Sequence, residues 1–185
     1  MKNEDGSNLI EAITDELRTR GYHVSQALLN ASEYGVPQNR HRVIIIGLRS
    51  DLFSTAFDFG DVEKSPGLTV GEALARIEPG SQNQEHWPLS PQAQSLVKHI
   101  PEGGSWKSIP DEFLPPRLLK IKANMKQYHS PNFYRRFGAD EIMGTVTAAA
   151  TPENSGILHS TEDRRYTVRE IATFQTFPQT FVFDG

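Results

Sequence analysis

The chain contains no cysteine. That absence excludes disulfides, thiolate zinc sites and, most consequentially, a cysteine nucleophile. No apolar run approaches membrane length, and the first residues are polar and acidic. Neither a transmembrane helix nor a signal peptide is therefore predicted. Positive charge is not in excess. With 19 Lys and Arg against 23 Asp and Glu the net charge is −4, so a surface for a polyanion has to come from segregated charge.

Such segregation is present. Glu4, Asp5, Glu11, Asp15 and Glu16 crowd the first sixteen residues, whereas Arg117 to Arg136 holds Lys120, Lys122, Lys126 and Arg135 with no Asp or Glu. A charge run of this kind is commonly a solvated face. The 185 residues suffice for one or two small domains, and 37% hydrophobic with 23% charged residues is a globular composition.

The stretch from Asn30 to Ser50 is the most informative. A polar loop, Tyr34 to Arg42, runs into the apolar strand Val43 to Gly47. Alternation would put Val43, Ile44, Ile45 and Ile46 on both faces, which predicts a strand buried on both sides of an α/β sheet. The loop presents Gln38, Arg40 and Arg42 at alternating positions, on one side of an extended chain. Two permanently charged forks beside a neutral amide suit phosphates or base edges. Read alone, the spacing equally allows arginines paired to local carboxylates.

Around this stretch the patterns are those of a mixed chain. Residues 7–20 predict a helix capped by Ser7, with Leu9, Ile10, Ile13 and Leu17 in one stripe and Gly21 ending it. Tyr22 to Leu29 predicts a strand. After a loop over 51–66, the capping box Thr69-Val-Gly-Glu72 opens a helix over 70–78, and Ser90-Pro91 opens another to about His99. Trp106 is expected to pin a tight turn. Residues 111–127 are expected to be helical mainly from Arg117. Phe133 to Phe137 and Gly144 to Ala150 predict strands. A further capping box, Thr167-Val-Arg-Glu170, opens a helix to about Thr176.

Several of these segments resemble one family. ASEYGVPQNRHRVIIIG, residues 31–47, resembles the QxRxR region, motif VIII, of DNA cytosine-5 methyltransferases. IPEGGSW, residues 100–106, resembles the IPPGGNW segment of that family's variable region. The stretch from Tyr134 to Ala150 resembles the end of its target-recognition region, with Thr145-Val146 as the match to a backbone-contacting dipeptide and Thr147 as the alternative register. Leu158 to Pro178 resembles motif IX, departing from it at Ser160, where Pro is usual, and at Thr173, where Arg is.

The resemblance implies an α/β fold. Residues 1–50 would be the C-terminal edge of a class I methyltransferase-like (Rossmann-like) sheet. Residues 51–160 would be an irregular mixed α+β target-recognition domain, and 161–185 the motif IX helix and return segment. It implies that Gln38, Arg40 and Arg42 contact DNA near a flipped cytosine and that Thr145 and Val146 contact its backbone. Arg165, Thr167, Arg169 and Glu170 would be structural. Arg117, Lys120, Lys122, Asn124, Lys126, Gln127, Asn132 and Arg135 stay open as base-reading candidates.

The family's cysteine, its Glu-Asn-Val motif and its glycine-rich cofactor loop are not in this sequence, nor is its closing Gly-Asn motif. The expectation is therefore a C-terminal fragment or subunit of a DNA (cytosine-5) methyltransferase, with no catalytic residue and no metal site of its own. S-adenosyl-L-methionine is the implied cofactor, without a binding motif here. Double-stranded DNA is the implied partner, in the cytoplasm and away from membranes. A missing catalytic domain, a complementing subunit or self-association would cover the sheet edge. A stand-alone DNA-binding specificity module is the alternative.

Overall fold

The computed structural model describes residues 9–124, 133–147 and 156–184. The chain opens with α1 (Leu9–Thr19), which packs on a hairpin of β1 (Tyr22–Asn30) and β2 (His41–Arg49). The two strands pair antiparallel from Tyr22↔Arg49 to Asn30↔His41. Gly21 adopts φ +84° between α1 and β1, the left-handed conformation that ends a helix at glycine. The predicted cap Ser7 lies outside the described residues.

The β2 strand is longer than Val43 to Gly47 and is not buried on both faces. Val43 is 44% exposed, Ile44 39% and, opposite them on β1, Leu28 67%. The physical reason is that this sheet has two strands only. One helix packs on β1, and Ser25 Oγ donates to Phe57 O at 2.5 Å, but the end of the hairpin around Leu28, Val43 and Ile44 stays open.

The remaining elements are short. They are α2 (Val70–Leu74), α3 (Pro91–Val97), α4 (Pro116–Ala123), β3 (Arg135–Arg136), β4 (Ile157–Leu158) and α5 (Val168–Phe174). Local chemistry places their starts. Thr69 with Glu72 and Thr167 with Glu170 form reciprocal capping boxes, and Ser90 caps α3 ahead of Pro91. The predicted strand over 133–137 shrinks to Arg135–Arg136, paired parallel with Ile157–Leu158, because Tyr134 takes φ +47° and breaks the extended run. Gly144 to Thr147 forms no strand, and residues 148–150 lie outside the described set. The helix expected over 111–127 starts only at Pro116, behind a single 3-10 turn at Asp111–Phe113.

Two apolar cores organise these pieces. The first gathers α3 around Leu96 and Val97 with Trp106, Ile109, Leu118 and Leu158. The second joins Val70 and Ala73 of α2 to Phe137, Met143, Ile157, Tyr166 and Phe174. Thus α5 shares a core with α2. No helix among the described residues is long and apolar enough to cross a membrane.

Candidate functional site

The loop between β1 and β2 is held from three sides. Within it, Asn30 is the hub. Its side-chain oxygen accepts from the Arg40 amide at 2.9 Å, and its amide donates to Asn39 Oδ1 at 3.1 Å. Ser32 Oγ donates to the same Asn39 oxygen at 2.9 Å. From a second side, segment 65–67 lies against the loop, with Gly35 N–H donating to Ser65 O and Ser65 N–H to Glu33 O, both at 2.8 Å. A Cβ at Gly67 would sit 2.6 Å from Val36 O and 2.9 Å from Ser32 O, so only glycine permits this approach.

The third side comes from far along the chain. Asn39 N–H donates to Met143 O at 2.7 Å, Thr145 Oγ1 donates to Asn39 O at 2.8 Å, and Gln38 bridges to Met143 in parallel register. The structure therefore brings the QxRxR loop and the Thr145–Val146 segment together. Val146 is also packed against the second core.

The three loop residues do not share an environment. Gln38 is 1% exposed, and its Oε1 accepts no hydrogen bond among the described residues. Leaving a buried amide oxygen unpaired costs about 1–3 kcal/mol. Arg40 is half-buried and Arg42 exposed. Arg42 Nη1 donates to His41 O at 2.6 Å. Neither arginine pairs with a carboxylate among the described residues. The carboxylate within the loop, Glu33, is bound by Lys64 at 2.5 Å. That hydrogen bond, and then the lysine's charge, hold Glu33 below the usual carboxylate range. The reading of arginines neutralised by their neighbours thus lacks a partner here.

A cleft of about 300 Å³ opens beside the loop, lined by Gly35, Pro37, Leu68, Arg76, Thr173 and Phe177 among others. Among the described residues, no cluster of His, Asp and Glu is placed to hold a metal.

Residues of the 158–178 stretch bond to one another and to other parts of the chain. Arg169 is fully buried and donates to Gln82 O at 3.0 Å, Pro178 O at 3.2 Å and Phe181 O, tying the 82–83 turn to the segment after α5. Arg165 donates to Pro88 O at 3.3 Å. Glu170 closes the capping box with Thr167 and receives both Arg164 Nη atoms at 2.8 Å. Burial pushes Glu170 upward, but the Arg164 and Thr167 hydrogen bonds outweigh it and hold the carboxylate below its ordinary range.

Sequence reasoning missed Arg136, Arg164 and His159. Arg136 is buried and donates to His159 O, Glu162 O, Val97 O and Asp163, so one guanidinium joins α3 to the 159–163 turn. Its neighbour Arg135 pairs with Glu141 at 2.5 Å, donates to Gly104 O at 2.9 Å and lies 4.5 Å from the Phe137 ring centre. That removes Arg135 from the base-reading candidates. Lys122 is likewise engaged, with Asp111 at 2.7 Å and Ile109 O at 3.0 Å. Lys126, Gln127 and Asn132 lie outside the described residues.

Comparison with known proteins identifies the family. The family model described as C-5 cytosine-specific DNA methylase matches residues 1–185. The type II methyltransferase M.NgoFVII of Neisseria gonorrhoeae is 33% identical over 186 residues, covering 95% of this chain and 46% of that protein. The type II methyltransferase M.BbvI of Brevibacillus brevis is 36% identical over 168 residues, covering 89% and 42%. The chain thus spans somewhat under half the length of these curated relatives. Among solved structures, a crystal structure described as a DNA modification methyltransferase encoded within a prophage of E. coli superposes with a TM-score of 0.55. It has 19% identity, and the match covers 98% of this chain and 57% of that one.

Proposed function

Because this chain belongs to the C-5 cytosine-specific DNA methylase family, we propose that it is the DNA-gripping part of a DNA (cytosine-5) methyltransferase. It holds the target strand for a nucleophile that it does not itself carry. The observation that supports this most is the junction at Asn39, where the arginine loop and the segment from Met143 to Thr145 are bonded into one surface. Arg40 and Arg42 stand beside that junction without carboxylate partners among the described residues. They act as phosphate clamps next to an extruded cytosine, and chemistry at a base requires the base to leave the stack. Gln38, buried with an unpaired oxygen, is held ready for a donor that arrives with the DNA. Thr145 and Val146 lie along the DNA backbone.

The methyl donor that the family implies is S-adenosyl-L-methionine. This chain's residues do not fit it. The described strands are followed by no glycine-rich turn leading into a helix, and the helix after β2 begins only at Val70. The thiolate that would add to cytosine C6 is absent as well. Both belong to the remaining length of the relatives, supplied by the same polypeptide or another. On this reading β1 and β2 are the edge of the Rossmann-like sheet, and their exposed apolar face is where that catalytic part joins. Without it, a second copy covers the face.

Binding of duplex DNA by the chain over a series of salt concentrations tests the reading. Each phosphate contact contributes about 0.9 to the slope of log affinity against log salt, so Arg40→Ala with Arg42→Ala should flatten that slope by about 2. Salt-independent or absent binding, or an unchanged slope in the double variant, contradicts it.

A further inference from the structure

Resting on the DNA-binding reading above, we propose that the outward face of α4, formed by Arg117, Lys120 and Asn124, reads base edges in the major groove. These positions are spaced three and four apart and share one side of the helix. All are exposed. The opposite side is anchored. Leu118 is buried in the first core, Leu119 packs against that core, and Lys122 turns inward to Asp111 and Ile109 O, while Ile121, beside Arg117, packs at the boundary of the two sides. The outward face is therefore presented by a fixed element rather than by a free loop.

Elimination sharpens the assignment. Of the described guanidiniums after residue 80, Arg135, Arg136, Arg164, Arg165 and Arg169 each donate to a carbonyl or carboxylate. Arg117 is the exposed one, and no acidic residue occurs from Pro116 to Asn124. The face is thus complementary to a polyanion. Lys98 and Lys107 are exposed too, but an ammonium at a turn is a point charge suited to phosphates.

The side chains also match base chemistry. A free guanidinium fork fits guanine O6 and N7. Asn124 spends one amide hydrogen on Lys120 O at 3.0 Å. Among the described residues its oxygen and second hydrogen take no other partner, and they are the pair that adenine N6 and N7 require. A helix about 10–12 Å across fits a groove about 12 Å wide. The face is accordingly assigned a guanine opposite Arg117 and an adenine opposite Asn124.

The test is enrichment of a random-sequence duplex library by the full chain, followed by sequencing of the bound pool. The wild type should enrich one short motif. Arg117→Lys, which keeps the charge but loses the fork, should bind DNA with an unchanged salt slope yet lose about tenfold preference for guanine at one position. Asn124→Ala should do the same at an adenine. Both sites are exposed, and an unchanged circular dichroism spectrum confirms that the variants are folded. The same motif in both variants overturns the assignment, as does a wild type that binds DNA but enriches no motif, and in both cases DNA binding itself stands. A wild type that binds no DNA overturns the parent reading and this one with it.

Discussion

Glu170 shows how much one residue does in this protein. The sequence marks it as the N3 partner of Thr167, and the structure confirms that role. What the sequence does not reveal is that the same carboxylate is gripped by Arg164 and faces His159 Nε2 at 3.5 Å. Nothing in the spacing singles out an arginine six positions upstream, because the contact is made by a turn rather than by a helix period. His159 Nδ1 accepts the amides of Thr161 and Glu162 at 3.3 and 3.2 Å, so the ring is neutral in the folded state. Burial first, and then the Arg164 charge, depress its pKa below the ordinary 6.5. A histidine depressed in the fold contributes stability that is complete above its unfolded value and declines as pH falls below it. The depressed Glu170 acts in the same direction at lower pH. Thermal melting between pH 7.5 and 5 should therefore show a falling midpoint. His159→Asn keeps an acceptor near Nδ1 but cannot titrate, and it should flatten the part of the fall between about pH 6.5 and 5. An equal fall in both proteins would refute this account of His159.

At the scale of elements, what was legible is what local chemistry decides. The helix starts at Thr69, Ser90 and Thr167 are readable because each cap sits within three residues of its partner. The β2 strand is readable from its β-branched run, Val43 to Ile46, and β1 less directly. Long-range geometry was not. Gln38 bridges to Met143, and Asn39 is bonded by Thr145, each more than a hundred positions away. Tyr134 takes a positive φ that no aromatic propensity foretells, and it cuts a five-residue strand to two. The loop's second support, at Gly67, was equally silent, since its requirement is set by carbonyls of residues 32 and 36. It carries a prediction. Gly67→Ala must push the 65–67 segment off the loop, because a Cβ 2.6 Å from Val36 O has no backbone-free way to move. The variant should lose about 1–3 kcal/mol in urea unfolding, a range in keeping with overpacking. It should also weaken DNA binding although residue 67 carries no charge. Wild-type stability and affinity in this variant would show that the loop is not held from this side.

For the whole molecule, the hairpin poses the clearest physical question. A double-sided apolar strand was expected to be buried, and Leu28, Val43 and Ile44 are instead open to solvent. The sequence foretold the strand but not what faces it, because cover is a property of neighbours. Exposed apolar patches of this kind mark interaction surfaces. Sedimentation velocity of the pure chain should accordingly show concentration-dependent self-association that Leu28→Lys with Ile44→Lys abolishes. A strictly monomeric wild type would contradict it. The central claim reaches further, since it divides one reaction between this surface and a nucleophile held elsewhere. It is tested most directly by incorporation of labelled methyl groups from S-adenosyl-L-methionine into duplex DNA. The chain is assayed alone and mixed with a polypeptide carrying the family's cysteine and Glu-Asn-Val motifs. The account predicts none from the chain alone, incorporation by the mixture, and loss of that incorporation with Arg40→Ala and Arg42→Ala. Methyl transfer by the chain alone, or by a mixture indifferent to the two arginines, would contradict it.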